Sequence, residues 1–420
     1  MNPRPVIVAG LRTPFAKAGT DFSDLAADEL GRAAANALLT RTGLDPRLID
    51  EVIFGCVAQP ADAANIARVI ALRAGVPKET PAFTVHRNCA SGCEAVTQAC
   101  DKIALGRGEI FLVGGVESMS RVPLLFSHKA AKKLNGLARA RSTAQKAAAL
   151  AAFRPSDFHP RVGLKLGLTD PVCGLNMGET AELLAREWDV SREESDAFAL
   201  RSHRLAVAAS ARLAEEITPV YLKSKTVTAD NGPRPGQSLE ALAKLKPVFE
   251  PATGIVTAGN SSQITDGAVA LLVMSEARAA ALGLEPLGAV MDYQYAGCDP
   301  ARMGLGPVFA IAKTGRDPAA ADIVEINEAF AAQVLAVLRA MKSEKFARKH
   351  LRRERAPGEI PDEKLNVNGG AIALGHPVGA TGARLVLTAL KELGRRKAKR
   401  ALVSLCVGGG QGAALWLERL

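Results

Sequence analysis

The chain has 420 residues, 48% hydrophobic and 23% charged, with 38 glycines and only 4% aromatics; this can bury a large core in two or three domains and suits an α/β architecture better than an all-β sandwich. Seven cysteines, odd in number and irregularly spaced, exclude a disulfide framework and point to free thiols in a reducing, cytoplasmic setting. The formal charge of +10 is mostly one patch: Ser127 to Arg161 carries eight Lys or Arg (Lys129, Lys132, Lys133, Arg139, Arg141, Lys146, Arg154, Arg161) against Asp157 alone.

In chain order, the first predicted element is a strand at Val6 to Ala9, entered so soon after Met1 that no secretory leader is expected; no apolar run reaches the ~18 residues of a membrane span. A second strand is predicted at Glu51 to Val57. Next comes HRNCASGCEAV, His86 to Val96. Cys93, Val96, Thr97, Cys100, Ile103 and Ala104 fall on one stripe at helical steps, which predicts an amphipathic helix with Cys89 at its start. Free N–H groups and the positive end of the helix dipole predict a more acidic, more nucleophilic thiol there. Taken alone, Cys89 reads as a small buried apolar residue, as Cys93 and Cys100 do. Ala90, Ser91 and Gly92 shift that balance by leaving room for a substrate.

The strand at Ile110 to Val113 lies in EIFLVGGVESMS, Glu109 to Ser120, whose layout is repeated by KRALVSLCVGGGQGAALWLERL, Lys399 to Leu420, hinting at internal duplication. From Arg121 to Lys246 the alternation of strand and helix breaks into basic, Ala-rich helices, an inserted layer. The basic patch lies there, readable as a solvated face or as a docking surface for a partner subunit or an anionic membrane. In EINEAFAAQ, Glu325 to Gln333, Asn327 and Glu328 are polar at a predicted helix start, where Asn327 also reads as a plain N-cap. The clusters Lys342 to Arg355 and Arg395 to Arg400 lack the aromatic interleaving of a nucleic-acid groove, so no nucleic-acid partner is expected.

NVNGGAIALGHPVGATGAR, Asn366 to Arg384, places His376 in a Gly-flanked turn before a helical run from Arg384 to Leu393. An imidazole there, with a pKa near neutrality, can take a proton from a cysteine; the bland alternative is a surface turn histidine. LCVGGGQG, Leu405 to Gly412, puts Cys406 at the end of a strand from Ala401 with glycine N–H groups behind it, suited to an oxyanion. No GK[ST] or GxGxxG-plus-acid context makes it a phosphate loop, no metal-ligand spacing occurs, and no cofactor is expected.

Together these segments resemble the thiolases, the acetyl-CoA acyltransferases and acetyltransferases, from RTPFAKAG at Arg12 to the C-terminus. LNMGETAE at Leu175 and TAGNSSQITDGA at Thr257 fit the same pattern. The resemblance implies two duplicated α/β halves in a five-layer α-β-α-β-α thiolase fold with an inserted helical loop domain. We place the first half at 1–120, the insertion at 121–246, the return to the first half at 247–285 and the second half at 286–420. It implies Cys89 as the acylated nucleophile, His376 as its base, and Cys406 as the acid or base at the acetyl methyl carbon. It further implies that Asn327 and His376 hold a water on the thioester oxygen, that the Cys89 and Gly408 N–H groups form a second oxyanion hole, that Ser262 contacts pantetheine, and that Met177 and Phe330 line the acyl end.

Coenzyme A is then a substrate, the partners CoA thioesters, and a homodimer or homotetramer the expected assembly. The basic patch gains a further reading, attraction of the CoA phosphates. Asn176, where the short-chain synthetic members carry His, and the enlarged loop domain, similar to that of subunits working beside a hydratase–dehydrogenase, lean toward degradative 3-ketoacyl-CoA cleavage in β-oxidation. The alternatives are an acetyl-CoA C-acetyltransferase and a non-catalytic partner-binding subunit. A ketosynthase would be expected to use two histidines, against which Asn327 and Cys406 argue.

Overall fold

The computed structural model describes residues 3–420. The first half contains β1 (Pro5–Arg12), α1 (Ala27–Thr42), β2 (Glu51–Gly55), α2 (Ile66–Arg73), β3 (Ala82–Val85), α3 (Ser91–Ala104) and β4 (Ile110–Glu117). An excursion carrying α4 (His128–Arg139), α5 (Thr143–Ala151), α6 (Met177–Glu187) and α7 (Arg192–Ala208) follows before β5 (Thr265–Ser275). The second half comprises β6 (Gly288–Gly297), α8 (Gly306–Thr314), β7 (Ile323–Ile326), α9 (Ala331–Met341), α10 (Val378–Arg396), β8 (Arg400–Val407) and β9 (Gln411–Glu418).

The strand order is β3-β2-β4-β5-β1 in the first half and β7-β8-β9-β6 in the second, joined edge to edge where Val6 and Ile7 of β1 face Ala289 and Gly288 of β6. Strand directions match: β2 runs parallel to β4 as β7 does to β8, the edge strand β3 is parallel to β2, and the other neighbours in each half are antiparallel. Where β3 flanks β2, Leu365 bridges Val324 of β7 in parallel. The halves are therefore duplicates, and the two segments of similar layout fall on β4 and on β8 with β9. The connection from β8 to β9 needs only residues 408–410, whereas its counterpart from β4 to β5 spans 118–264.

Side-chain alternation builds the layers. In β5, Ala268, Ala270, Leu272 and Met274 pack outward under α1 and α2, while Val269, Leu271 and Val273 point inward. In β9, Ala413, Leu415 and Leu417 join the same inner core, and Ala414 and Trp416 pack outward under α8 and α9. Between the two sheets lie α3 and α10, which form the middle layer of five. Both are buried on nearly every side, so they must touch each other closely, and glycine allows it. A Cβ on Gly92 would come within 2.5 Å of the Ala383 nitrogen, and one on Gly382 within 2.5 Å of the Cys93 nitrogen. The helix after His376 begins at Val378, a turn and a half earlier than its apolar run suggests, because Pro377 at the N-cap presets the first turn.

The excursion is anchored by Arg12 of β1. Its guanidinium is fully buried, meets Glu216 at 2.7 Å and grips both oxygens of Asp230 at 2.6 and 2.8 Å. Glu216 in turn accepts from Thr388 of α10 at 3.0 Å. No helix among the described residues is long and apolar enough to cross a membrane.

Candidate active site

Each half contributes one reactive residue just before its middle-layer helix: Cys89 stands two residues before the first residue of α3, and His376 two before the first of α10. Because the helices touch at Gly92 and Gly382, near their first turns, their N-terminal ends converge. Asn88 takes a left-handed φ of 42°, which turns the chain sharply ahead of Cys89. Ser91 holds that turn, its Oγ accepting from Arg87 N at 2.9 Å and donating to Asn88 O at 2.7 Å.

The glycine turn after β8 closes over this corner. Asn88 Nδ2 donates to Gly408 O at 2.7 Å, and the Gly408 N–H faces the Cys89 sulfur, as does the N–H of Cys89 itself. Burial nevertheless outweighs these donors and pushes the Cys89 thiol up to about 11, against the expectation of an acidified cysteine. The helix end alone therefore leaves a thiol, and a base must remove its proton.

His376 is buried, its backbone N–H donating to Gln263 O at 3.0 Å and its Nδ1 lying 2.6 Å from Thr381 Oγ1. Burial, with Arg384 nearby, pushes its pKa down to about 4, below the neutrality that the sequence suggested. The imidazole is neutral at pH 7 and available as a base. Gly375, with φ 98° and Thr265 packed against it, gives the turn a shape no side chain would allow.

Cys406 is the penultimate residue of β8, at the strand end where the sequence placed it, and it packs with Met303 and Ala329, against which Met177 and Phe330 rest. Burial, the largest effect, and the neighbouring Cys89 drive its thiol well above the ordinary cysteine range. Asn327 is fully buried, its N–H donating to Ser404 O at 2.9 Å, and its side-chain Oδ1 and Nδ2 have no protein partner. It is not an N-cap: α9 begins at Ala331 with Phe330 at its cap. A buried amide with both ends free needs a polar guest. Ser262 N–H donates to Ala329 O at 2.9 Å, tying its loop to the same cluster, and Met177 opens α6 with its sulfur beside Gly408.

These residues carry known company. The thiolase N-terminal domain family matches residues 5–277 and the thiolase C-terminal domain family residues 284–419. The chain belongs to the thiolase family. Relatives named 3-ketoacyl-CoA thiolase, from Pectobacterium carotovorum and Aeromonas salmonicida, are each 41% identical over 99% of this chain and 96% and 97% of theirs. Among solved thiolase structures, the Bacillus anthracis acetyl-CoA acetyltransferase is 37% identical with a TM-score of 0.86, covering 100% of this chain and 99% of its own. The human mitochondrial 3-ketoacyl-CoA thiolase in complex with CoA is 37% identical with a TM-score of 0.85, covering 100% and 98%.

Sequence reading missed several residues of this thiolase corner. Thr381, five positions beyond His376 in the same motif, reaches its ring. Glu117 at the end of β4 is buried, accepts from Val57 N, Ala58 N and Gly379 N at 2.9–3.0 Å, and so binds the start of α10 to the first half. Glu328, noted in the sequence only as a polar neighbour of Asn327, accepts from Ser202, Asn366 and Ile372 N, clasping the excursion to the turns of the second half. No spacing rule links such distant partners; an intramotif Thr beside a candidate base was the one available signal. Asn176 caps α6, accepting from Gly178 N at 3.1 Å while its own N–H donates to Glu179.

Proposed function

We propose that the chain catalyses thiolytic cleavage of 3-ketoacyl-CoA to acetyl-CoA and a shortened acyl-CoA, in fatty-acid β-oxidation. The observation that carries it is the convergence of two helix starts bearing Cys89 and a neutral His376 beside two further elements, a second buried thiol and an unsatisfied amide. His376 Nε2 takes the Cys89 proton, and the sulfur attacks the 3-keto carbon. The Gly408 and Cys89 N–H groups receive the oxyanion, each donor worth about 3 kcal/mol of barrier. As the C2–C3 bond breaks, its electron pair passes to the acetyl-CoA enolate. A water shared by Asn327 and His376 donates to the thioester oxygen, and Cys406 gives its proton to C2. Burial suits that last role, because it keeps the second thiol protonated until a carbanion equivalent appears. CoA then attacks acyl-Cys89, its thiol proton returning to Cys406, and Cys89 leaves as a thiolate that recovers the His376 proton. Ser262 is placed in this reading at the pantetheine arm, and Met177 and Phe330 at the acyl end.

Degradative cleavage is favoured over acetoacetyl-CoA synthesis by the full-length relatives, which are named 3-ketoacyl-CoA thiolase, and by Asn176. The chain works in the cytoplasm as a homodimer or homotetramer, supported by the free edge of β3, whose residues are all partly exposed. A hydratase–dehydrogenase subunit is its working partner. The test is CoA-dependent loss of 3-ketoacyl-CoA absorbance, with acetoacetyl-CoA and a long-chain homologue compared. Activity on both, reduced at least about a thousandfold by Cys89→Ala, is expected. Activity confined to acetoacetyl-CoA would establish the acetyltransferase instead, and none at all a non-catalytic subunit.

A further inference from the structure

The glycine turn that carries the Gly408 N–H has no side chain of its own to hold its shape. Gly409 and Gly410 take left-handed φ values of 86° and 76°, which glycine permits but does not enforce. Neighbouring segments fix the turn at three successive residues. Asn88 Nδ2 donates to Gly408 O at 2.7 Å, and Cys298 N, just past the end of β6, donates to Gly410 O at 2.7 Å. Between them, the Gly409 N–H faces the carboxylate of Asp170.

Asp170 is 3% exposed and lies in the turn that leads into α6. Its Oδ1 accepts from Val172 N at 2.8 Å and from Cys173 N at 3.0 Å, its N–H donates to Leu175 O at 2.9 Å, and its carbonyl accepts from Gly174 N at 2.9 Å. One carboxylate oxygen is thus taken by the local turn, which leaves Oδ2 for the Gly409 N–H. Burial works against the charge, but the N–H groups of Cys173, Val172 and Gly409, with the Cys173 thiol, outweigh it and hold the carboxyl below its usual range. An acceptor that stays ionised grips an N–H more strongly than a neutral one.

We infer that Asp170 is a positioning residue for acyl transfer: its carboxylate holds the Gly409 N–H and so keeps the N–H of Gly408 aimed at the Cys89 sulfur and at the oxyanion formed beside it. The inference rests on the acyl-transfer reading above. Asp170 touches no reacting atom, and its effect passes through the backbone of one glycine, where a swing at Gly409 turns the Gly408 N–H away. The same turn mounts Met177, whose N–H donates to Leu168 O at 2.9 Å and whose sulfur stands beside Gly408. A role confined to that mount would act on acyl binding rather than on the oxyanion, so the two are separable by experiment.

The test is Asp170→Asn in the full-length protein. Its amide oxygen can still accept from Val172 and Cys173, but its NH2 meets the Gly409 N–H donor to donor, so only the clasp is lost. Thiolysis should fall about ten- to thirtyfold in kcat, with KM little changed and by the same factor for acetoacetyl-CoA and a long-chain homologue. Because the Gly408 N–H also favours the Cys89 thiolate, alkylation of Cys89 by iodoacetamide, read by mass spectrometry of its peptide, should slow about tenfold at about pH 8. Asp170→Ser, whose hydroxyl can close the local turn but cannot reach Gly409, should show the same signature and carries the test where the Asn variant does not fold. Cys173→Ala, which leaves the carboxylate in place, keeps wild-type values. Unchanged kcat, unchanged alkylation, or a loss confined to KM for the long-chain substrate overturns the inference; the last assigns Asp170 to the Met177 mount alone. Alkylation is read without substrate, so failure of the clasp and failure of the acyl-transfer reading are distinguishable.

Discussion

At the scale of single residues, the least obvious participant is Thr381. Its Oγ1 donates to Pro377 O at 3.1 Å and so accepts the Nδ1–H of His376 at 2.6 Å, leaving the lone pair on Nε2. Thr381→Val removes that acceptor while keeping the shape, and kcat should fall about ten- to a hundredfold with KM little changed, whereas Thr381→Ser restores it. The pH profile gives a readout that a packing defect would not. Burial holds His376 near 4, below the ordinary 6.5, so wild-type activity should persist well below pH 6 before protonation of the base removes it. The valine variant should lose rate across the whole plateau. Residue identities were legible in the sequence because Cys89, His376, Asn327 and Cys406 sit in unusual glycine-rich or polar settings. Their acidities were not, since a pKa depends on how much water the finished fold excludes, and burial reversed the direction expected for Cys89.

Helix contacts decide where those residues meet. The middle layer works because α3 and α10 approach through glycine, and a side chain at the crossing would strike backbone that cannot yield. Gly382→Ala places its methyl 2.5 Å from the Cys93 nitrogen and 2.9 Å from the Cys93 sulfur. It should cost about 1–3 kcal/mol in urea unfolding and also lower thiolysis, because it shifts both helix starts. Gly136→Ala in α4 meets nothing within 4 Å, so it should be neutral or stabilising by up to about 1 kcal/mol with activity unchanged. A loss at Gly136 equal to that at Gly382 would refute the crossing as the cause. The sequence showed α3 plainly, as one apolar stripe. It hid the first turns of α10, because Gly379, Thr381 and Gly382 are poor helix formers held helical by burial on every side.

Across the whole molecule, duplication was legible as two strand-and-glycine segments of similar layout, while the device that fastens the excursion was not. RTPF reads as a motif without a mechanism until Arg12 is seen with its partners, Glu216 and Asp230, both more than 200 positions away. Through Glu216 and Thr388 the same guanidinium also reaches α10, so β1, the excursion and the middle layer share one buried charge cluster. Removing only the cation leaves two carboxylates where water cannot reach them, which costs more than the pair itself is worth. Arg12→Met should therefore destabilise by about 3–5 kcal/mol in urea unfolding, and Arg12→Lys, which keeps the charge but cannot grip Asp230 through two nitrogens, by less. Limited proteolysis locates the effect: cleavage should appear first within 118–264, before either half is cut. Cutting that begins in β7 or α9 would mean that Arg12 supports the sheet generally rather than fastening the excursion to it.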